Sequence, residues 1–112
     1  MSDPDFPSIY KSREGYRAIQ AWYDRTLAQL SIPVQSHYIP TDLGKTHLLE
    51  LGEGDKPPLI LLHPLSANAL MWSPQFEALS QHFRLIVPDI IGMAGRSGST
   101  RPSYKSDAHA HW

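Results

Sequence analysis

The chain is expected to fold as an α/β unit around a partly parallel sheet, and three observations point there. Leu59–Leu62 and Leu85–Val87 are short apolar runs without alternation. Such runs suit strands of a parallel sheet that are covered on both faces. Between them Ser73-Pro74 marks a helix start, serine at the cap and proline in the first turn, followed by Phe76, Leu79 and Phe83 along one side. Strand, helix, strand and a further helix opening at Ser106-Asp107 is the order of a parallel α/β sheet.

Composition narrows the function classes. The chain has 112 residues, 41% of them hydrophobic, which allows one modest core and no second domain of comparable size. Ten Lys+Arg against eleven Asp+Glu leave a formal charge of −1. With no basic run either, no nucleic-acid partner is expected. The absence of cysteine excludes a disulfide framework, a thiolate nucleophile and a cysteine-ligated metal. The start, Met-Ser-Asp-Pro-Asp-Phe-Pro, has acids and prolines where a signal peptide needs a basic and then an apolar stretch. The longest apolar run, Leu59–Leu62, is too short for a bilayer, so a cytoplasmic chain with no membrane partner is expected.

In chain order, residues 1–8 are expected to be a loose polar arm. Tyr16, Ile19, Tyr23, Leu27 and Leu30 then recur at helical steps, with Trp22 widening the stripe, Ser12 as cap and Pro33 as stop. Residues 1–33 are therefore taken as arm and helix, and 34–112 as the body. Val34–Ile39 and Thr46–Leu51 are strand candidates joined at Thr41–Lys45, where Gly44 is free to take positive φ. The Gly52–Pro58 loop leads into the first apolar run. After the second run comes a Gly/Ser-rich stretch, Gly92 through Pro102. Trp112 is expected to pack the last helix on the sheet.

Chemistry in open α/β sheets collects at the C-terminal ends of the strands. Two junctions lie there: Leu61-Leu62-His63-Pro64-Leu65-Ser66 running on to Met71-Trp72, and Val87-Pro88-Asp89-Ile90-Ile91-Gly92 running on to Gly95-Arg96-Ser97-Gly98. Together they resemble the α/β-hydrolase fold family. The first is similar to its strand–His-Gly–loop–Trp segment, the second to its Asp-x-x-Gly-x-Gly-x-Ser segment, and the helix near residues 12–30 resembles the extension of carboxylesterase-like members.

The resemblance implies a partial hydrolase sheet: N-terminal helix, β-hairpin, then two parallel strands with connecting helices. It implies that the backbone N–H of Leu65 is one oxyanion donor, that His63 and Pro64 support that loop, and that Met71 and Trp72 line a pocket, although simple core packing accounts for these two equally well. Two departures stand out. Pro64 replaces a glycine, which stiffens the turn but leaves the Leu65 donor in place. One extra residue separates Gly92 from Gly95.

No Gly-x-Ser-x-Gly occurs in the chain, and Gly95-Arg96-Ser97-Gly98 has the wrong spacing. In the family the nucleophile, acid and histidine all follow the segments seen here. The expectation is an N-terminal fragment of an ester-type serine hydrolase, stopping before the nucleophile elbow, with half an oxyanion hole, no triad, no cofactor and no metal. Such a fragment would be inactive as given, and the complete relative would take a small-molecule ester. The alternative is a non-catalytic binding or self-associating module on half a hydrolase sheet, pairing through an exposed apolar edge strand. Glycines 92, 95 and 98 do not spell a dinucleotide fingerprint, which weighs against a nucleotide-binding domain.

Several side chains are expected to be structural. His63 closes its loop, Asp89 braces one, and Ser66 and Ser97 cap turns rather than attack substrates. His109 and His111, two apart on a helix, point in different directions and are not read as metal ligands.

Overall fold

A computed structural model describes residues 9–103 and 105–112; the polar arm expected at 1–8 lies outside the described residues. Helix α1 (Arg13–Ala28) leads into a hairpin of β1 (Val34–Thr41) and β2 (Gly44–Leu51). Strand β3 (Pro58–Ile60), a 3-10 turn at Ala69–Trp72, α2 (Ser73–Ser80), β4 (Arg84–Pro88) and the single turn α3 (Ala108–His111) follow. The sheet order is β1-β2-β4-β3, with β3 and β4 parallel and the other pairs antiparallel. The expected α/β architecture is present, with a crossover helix between its two parallel strands.

Local chemistry explains the boundaries. Ser12 caps α1, its hydroxyl accepting from Gly15 N–H at 3.0 Å. The hairpin closes on Asp42-Leu43, and Gly44 takes φ +118°, which a side chain would resist. Helix α2 differs from expectation. Ser73 lies inside it without a side-chain capping bond, because the preceding 3-10 turn feeds directly into the helix. The cap belongs to Asn68, which accepts from Leu70 N–H at 3.0 Å.

Strand β3 is shorter than the apolar run that encodes it. Its ladder with β4 reaches Leu61 N–H, which donates to Ile86 C=O at 3.0 Å. The next donor in a parallel ladder would come from Pro88, which has none, so pairing stops. Nor is the run covered on both faces. Strand β3 is an edge, Leu61 points into the core, and Ile60 and Leu62 are 60% and 57% exposed.

One core joins these elements: Tyr23 from α1, Leu49 and Leu51 from β2, Leu85 and Val87 from β4, with Leu61, Ala69, Leu70 and Phe76. On β2 and β4 the core residues form cross-strand pairs, Leu51 with Leu85 and Leu49 with Val87. Trp22 does not widen the buried stripe of α1. It is 39% exposed and meets Tyr23 edge-on at the margin. Trp112 does reach the sheet, its indole N–H donating to Thr46 Oγ1 on β2 at 2.5 Å. Among the described residues no helix is long and apolar enough to cross a membrane.

This packing sets a contrast between two aromatic residues. Phe76→Ala should lower the unfolding free energy by about 3–5 kcal/mol. Trp22→Ala should cost about 1 kcal/mol or less. Urea unfolding followed by far-UV circular dichroism checks the order, and equal losses would contradict the core assignment.

Candidate active site

The ladder of paired leucines and valine ends in a polar pair. One step beyond Leu49 and Val87, Asp89 N–H donates to His47 C=O at 2.9 Å, so the two side chains share the buried face. Both are fully buried. Charges there must be compensated, because burying an unpaired carboxylate is very costly.

Four donors meet the Asp89 carboxylate. Oδ2 accepts from Tyr23 Oη at 2.8 Å, from His47 Nδ1 at 2.8 Å and from Arg96 N–H at 3.1 Å. Oδ1 accepts from Ala69 N–H at 2.7 Å. Burial alone would raise the Asp89 pKa, but the bonds from His47, Ala69 N–H, Tyr23 and Arg96 N–H outweigh it and hold the group below the usual carboxylate value. Burial, reinforced by the Asp89 charge, pushes the Tyr23 phenol up, so it stays a protonated donor.

The glycine of the second junction has a steric origin. A Cβ at Gly95 would lie 2.5 Å from Asp89 Cγ, so only glycine allows the loop to pass over the carboxylate. The longer Gly92–Gly95 segment is used as well, since Ala94 C=O accepts from Asn68 Nδ2 at 3.1 Å. Arg96 then clasps the loop to α1. Its Nε donates to Gln20 Oε1 at 3.0 Å, its guanidinium pairs with Asp24, and its centre lies 4.3 Å from the Tyr23 ring centroid.

The first junction folds against the second. His63 Nε2 accepts from Ile90 N–H at 2.8 Å, which puts the ring hydrogen on Nδ1, donating to Pro64 C=O at 2.9 Å. Both ring nitrogens are occupied by backbone, so His63 has no free position for base chemistry. Leu65 follows, 66% exposed, and its N–H has no partner among the described residues. Ser66 takes φ 63°, the one left-handed non-glycine conformation among the described residues.

Met71 is exposed, while Trp72 packs against the core with its buried Nε1 unpartnered. Neither lines either of two surface cavities formed by the described residues. The larger, about 550 Å³, opens at the other end of the sheet between Ile32, Glu50, Lys56 and Arg84. The smaller, about 230 Å³, lies beside the Gly95–Ser99 loop and α1.

Sequence reasoning did not anticipate the roles of His47, Tyr23 and Ser36. Ser36 Oγ lies 3.1 Å from His47 Nε2, whose Nδ1 meets Asp89, so serine, histidine and aspartate stand in the order of a catalytic triad. The line is a brace. His47 is sealed from solvent, while Ser36 is exposed on β1 and borders neither cavity. Ser97 is likewise consumed, its Oγ donating to Asp89 C=O at 2.6 Å and accepting from His47 N–H at 2.8 Å. His109 and His111 sit on α3, where His111 pairs with exposed Asp107 at 3.0 Å, and the described residues contain no group of three potential metal ligands. The signal for the hub was an alternation running one step too far, His47-Leu49-Leu51 opposite Asp89-Val87-Leu85.

No protein-family model matches the chain. It is 41% identical over 83 residues to the carboxylesterase YbfK of Bacillus subtilis strain 168, a match covering 74% of this chain and 28% of that protein. It is 34% identical over 101 residues to the uncharacterized carboxylesterase nap of the same organism, covering 90% of this chain and 33% of that one. Among solved structures, carboxylesterase CesB (YbfK) from B. subtilis superposes with a TM-score of 0.70 at 36% identity, over 81% of this chain and 31% of the other. Naproxen esterase from B. subtilis does so with a TM-score of 0.70 at 34% identity, over 79% and 30%. The chain spans about a third of the length of the curated relatives it matches.

The depressed Asp89 pKa carries a pH signature. An acid with a lowered folded pKa stabilises the fold above its unfolded value and loses that contribution as pH falls through the folded one. Asp89→Asn should cost about 3 kcal/mol at pH 7, where the native carboxylate is fully paired. The gap between the two proteins should narrow on acidification below the ordinary carboxylate value of 3.8. Urea titrations at a series of pH values check this, and a gap independent of pH would contradict it.

Proposed function

The chain belongs to the α/β-hydrolase fold family, and from that premise we propose that it supplies one half of the oxyanion hole of a carboxylic-ester hydrolase, the Leu65 N–H. The nucleophile, acid and histidine of the triad have no counterpart in residues 1–112, so by itself the chain does not turn over esters. The observation that carries the reading is the convergence of the two strand-end junctions. His63 and Asp89 fold them together, and Leu65 N–H stands open at the C-terminal end of β3.

A backbone donor suits this role, because a tetrahedral intermediate needs preorganised hydrogen-bond donors aimed at its oxygen rather than a particular side chain. Pro64 leaves that donor intact and restrains φ of the residue before Leu65. The left-handed Ser66 is the local distortion that such a turn retains when the surrounding structure fixes it. A small carboxylic ester is the substrate of the complete protein on this reading, in the cytoplasm, with no cofactor.

Two measurements test it. The chain should show no steady-state hydrolysis of a p-nitrophenyl ester and no fluorophosphonate adduct by mass spectrometry; an adduct on any serine, Ser36 included, would overturn the no-triad reading. In a chimera where the chain replaces the matched segment of YbfK, Leu65→Pro should lower kcat by about 10²–10³ at little changed KM. Retained kcat would remove Leu65 from the oxyanion hole.

The edge of the sheet supports one further part of the proposal. Ile60 and Leu62 are exposed on or just beyond β3, whose outer backbone groups form an unpaired edge. Such an edge is a template for another strand, and the chain is proposed to self-associate through it. Sedimentation velocity should show oligomers that grow with concentration and that Leu62→Lys shifts toward monomer; a monomer at all concentrations would refute this.

A further inference from the structure

We propose that Tyr23 is a positioning residue: its hydroxyl orients the Asp89 carboxylate so that the other oxygen fixes the His63–Ala69 loop, and with it the direction of the Leu65 N–H. The catalytic consequence rests on the oxyanion reading above; the mechanical coupling does not.

Asp89 is a short side chain whose terminal torsion is broad and roughly two-fold, so packing alone does not set its carboxylate plane. Three donors on a single oxygen do. Tyr23 Oη, His47 Nδ1 and Arg96 N–H all converge on Oδ2, leaving Oδ1 to Ala69 N–H. Of the three, the phenol is the donor brought from outside the sheet and its strand-end loop. It comes from α1, while His47 sits on β2 and Arg96 on the loop passing over the carboxylate.

The loop is pinned at its two ends to consecutive residues. Ile90 N–H holds His63 at its start, and Asp89 holds Ala69 at its end. Between them Ala67 N–H donates to Pro64 C=O at 3.3 Å, His63 Nδ1 to the same carbonyl at 2.9 Å and Asn68 Nδ2 to Ala94 C=O at 3.1 Å, while Leu65 has no tie of its own. The direction of its N–H therefore follows from the restraints on its neighbours, the Ala69 end among them. Loss of the Tyr23 hydroxyl releases one donor from Oδ2, lets the carboxylate turn, and loosens the Ala69 end.

The fold can survive that loss, because Tyr23→Phe keeps the ring in the core and beneath the Arg96 guanidinium. This separates positioning from packing. In ¹H–¹⁵N NMR spectra of residues 1–112, the Ala69 amide proton, donating to a carboxylate, should move upfield in Tyr23→Phe. Its exchange with solvent should quicken about ten-fold, as expected for weakening one buried hydrogen bond. The Leu65 amide resonance should move with it. Tyr16→Phe makes the same chemical change on the same helix without an Asp89 contact, and should leave both resonances in place.

If Tyr23→Phe does not fold, 3-fluorotyrosine at position 23 keeps ring and hydroxyl while strengthening the donor, and the same two amides should shift. Unchanged Ala69 and Leu65 resonances in either folded protein would overturn the proposal and leave the oxyanion reading standing. Shifted resonances together with a chimera that tolerates Leu65→Pro would uphold the coupling and refute the oxyanion reading.

Discussion

The buried Asp89 carboxylate is the constraint on which the rest of this structure depends. A charge with no exposure is tolerable only when its hydrogen-bonding capacity is filled, and Asp89 gathers donors from four separate parts of the chain. Those parts are the N-terminal helix, the second strand, the loop after β3 and the glycine loop after β4. No apolar residue of the same size could join them, since each partner donates a hydrogen that only an acceptor can take. The consequence is geometric. Two strand ends are held together by one side chain, and the glycine at position 95 lets the backbone pass over it.

Much of the scaffold was legible because it follows local rules. Spacing of Tyr16, Ile19, Tyr23 and Leu27 gives α1, Gly44 gives the hairpin, and the two apolar runs give the parallel pair. What was not legible depends on partners distant in sequence. The run at Leu59–Leu62 reads as an interior strand of the family's sheet and as an exposed edge in this chain, where it does lie; what was not legible is that its ladder is cut short by a missing N–H on Pro88 of its neighbour. Trp22 looked like part of the stripe because hydrophobicity was counted without knowing how wide a face the sheet would cover.

The site divides in the same way. His63, Pro64 and Leu65 stood out through their place after a strand, and Asp89 through its place at the end of another. The Tyr23–His47–Asp89 cluster did not, because the chain separates its members by 24, 42 and 66 positions. A histidine in an otherwise leucine alternation, facing an aspartate in the partner alternation, is the pattern that encodes it. Ser36 completes a serine–histidine–aspartate line that resembles a catalytic arrangement in order alone. What distinguishes it is the complete burial of His47 behind the exposed Ser36, which sequence does not carry.

Family membership and the hub fit one another. The relatives are carboxylesterases, and the match to one of them runs over 101 residues, long enough to take in both strand-end junctions. A hydrolase needs its oxyanion donor preorganised before substrate arrives. On the proposed oxyanion reading, a buried carboxylate tying the Leu65 loop to a helix and two strands is a means of achieving this.

Hydrogen–deuterium exchange on the unmodified chain tests the central claim most directly. If the Asp89 carboxylate welds these elements into one unit, the amides of Ala69, Arg96, Asp89 and Ile90 should open with the same free energy as those of Leu49 and Val87 in the core. If the loop amides exchange at rates typical of surface loops while Leu49 and Val87 stay protected, the carboxylate does not hold the site together and the account fails.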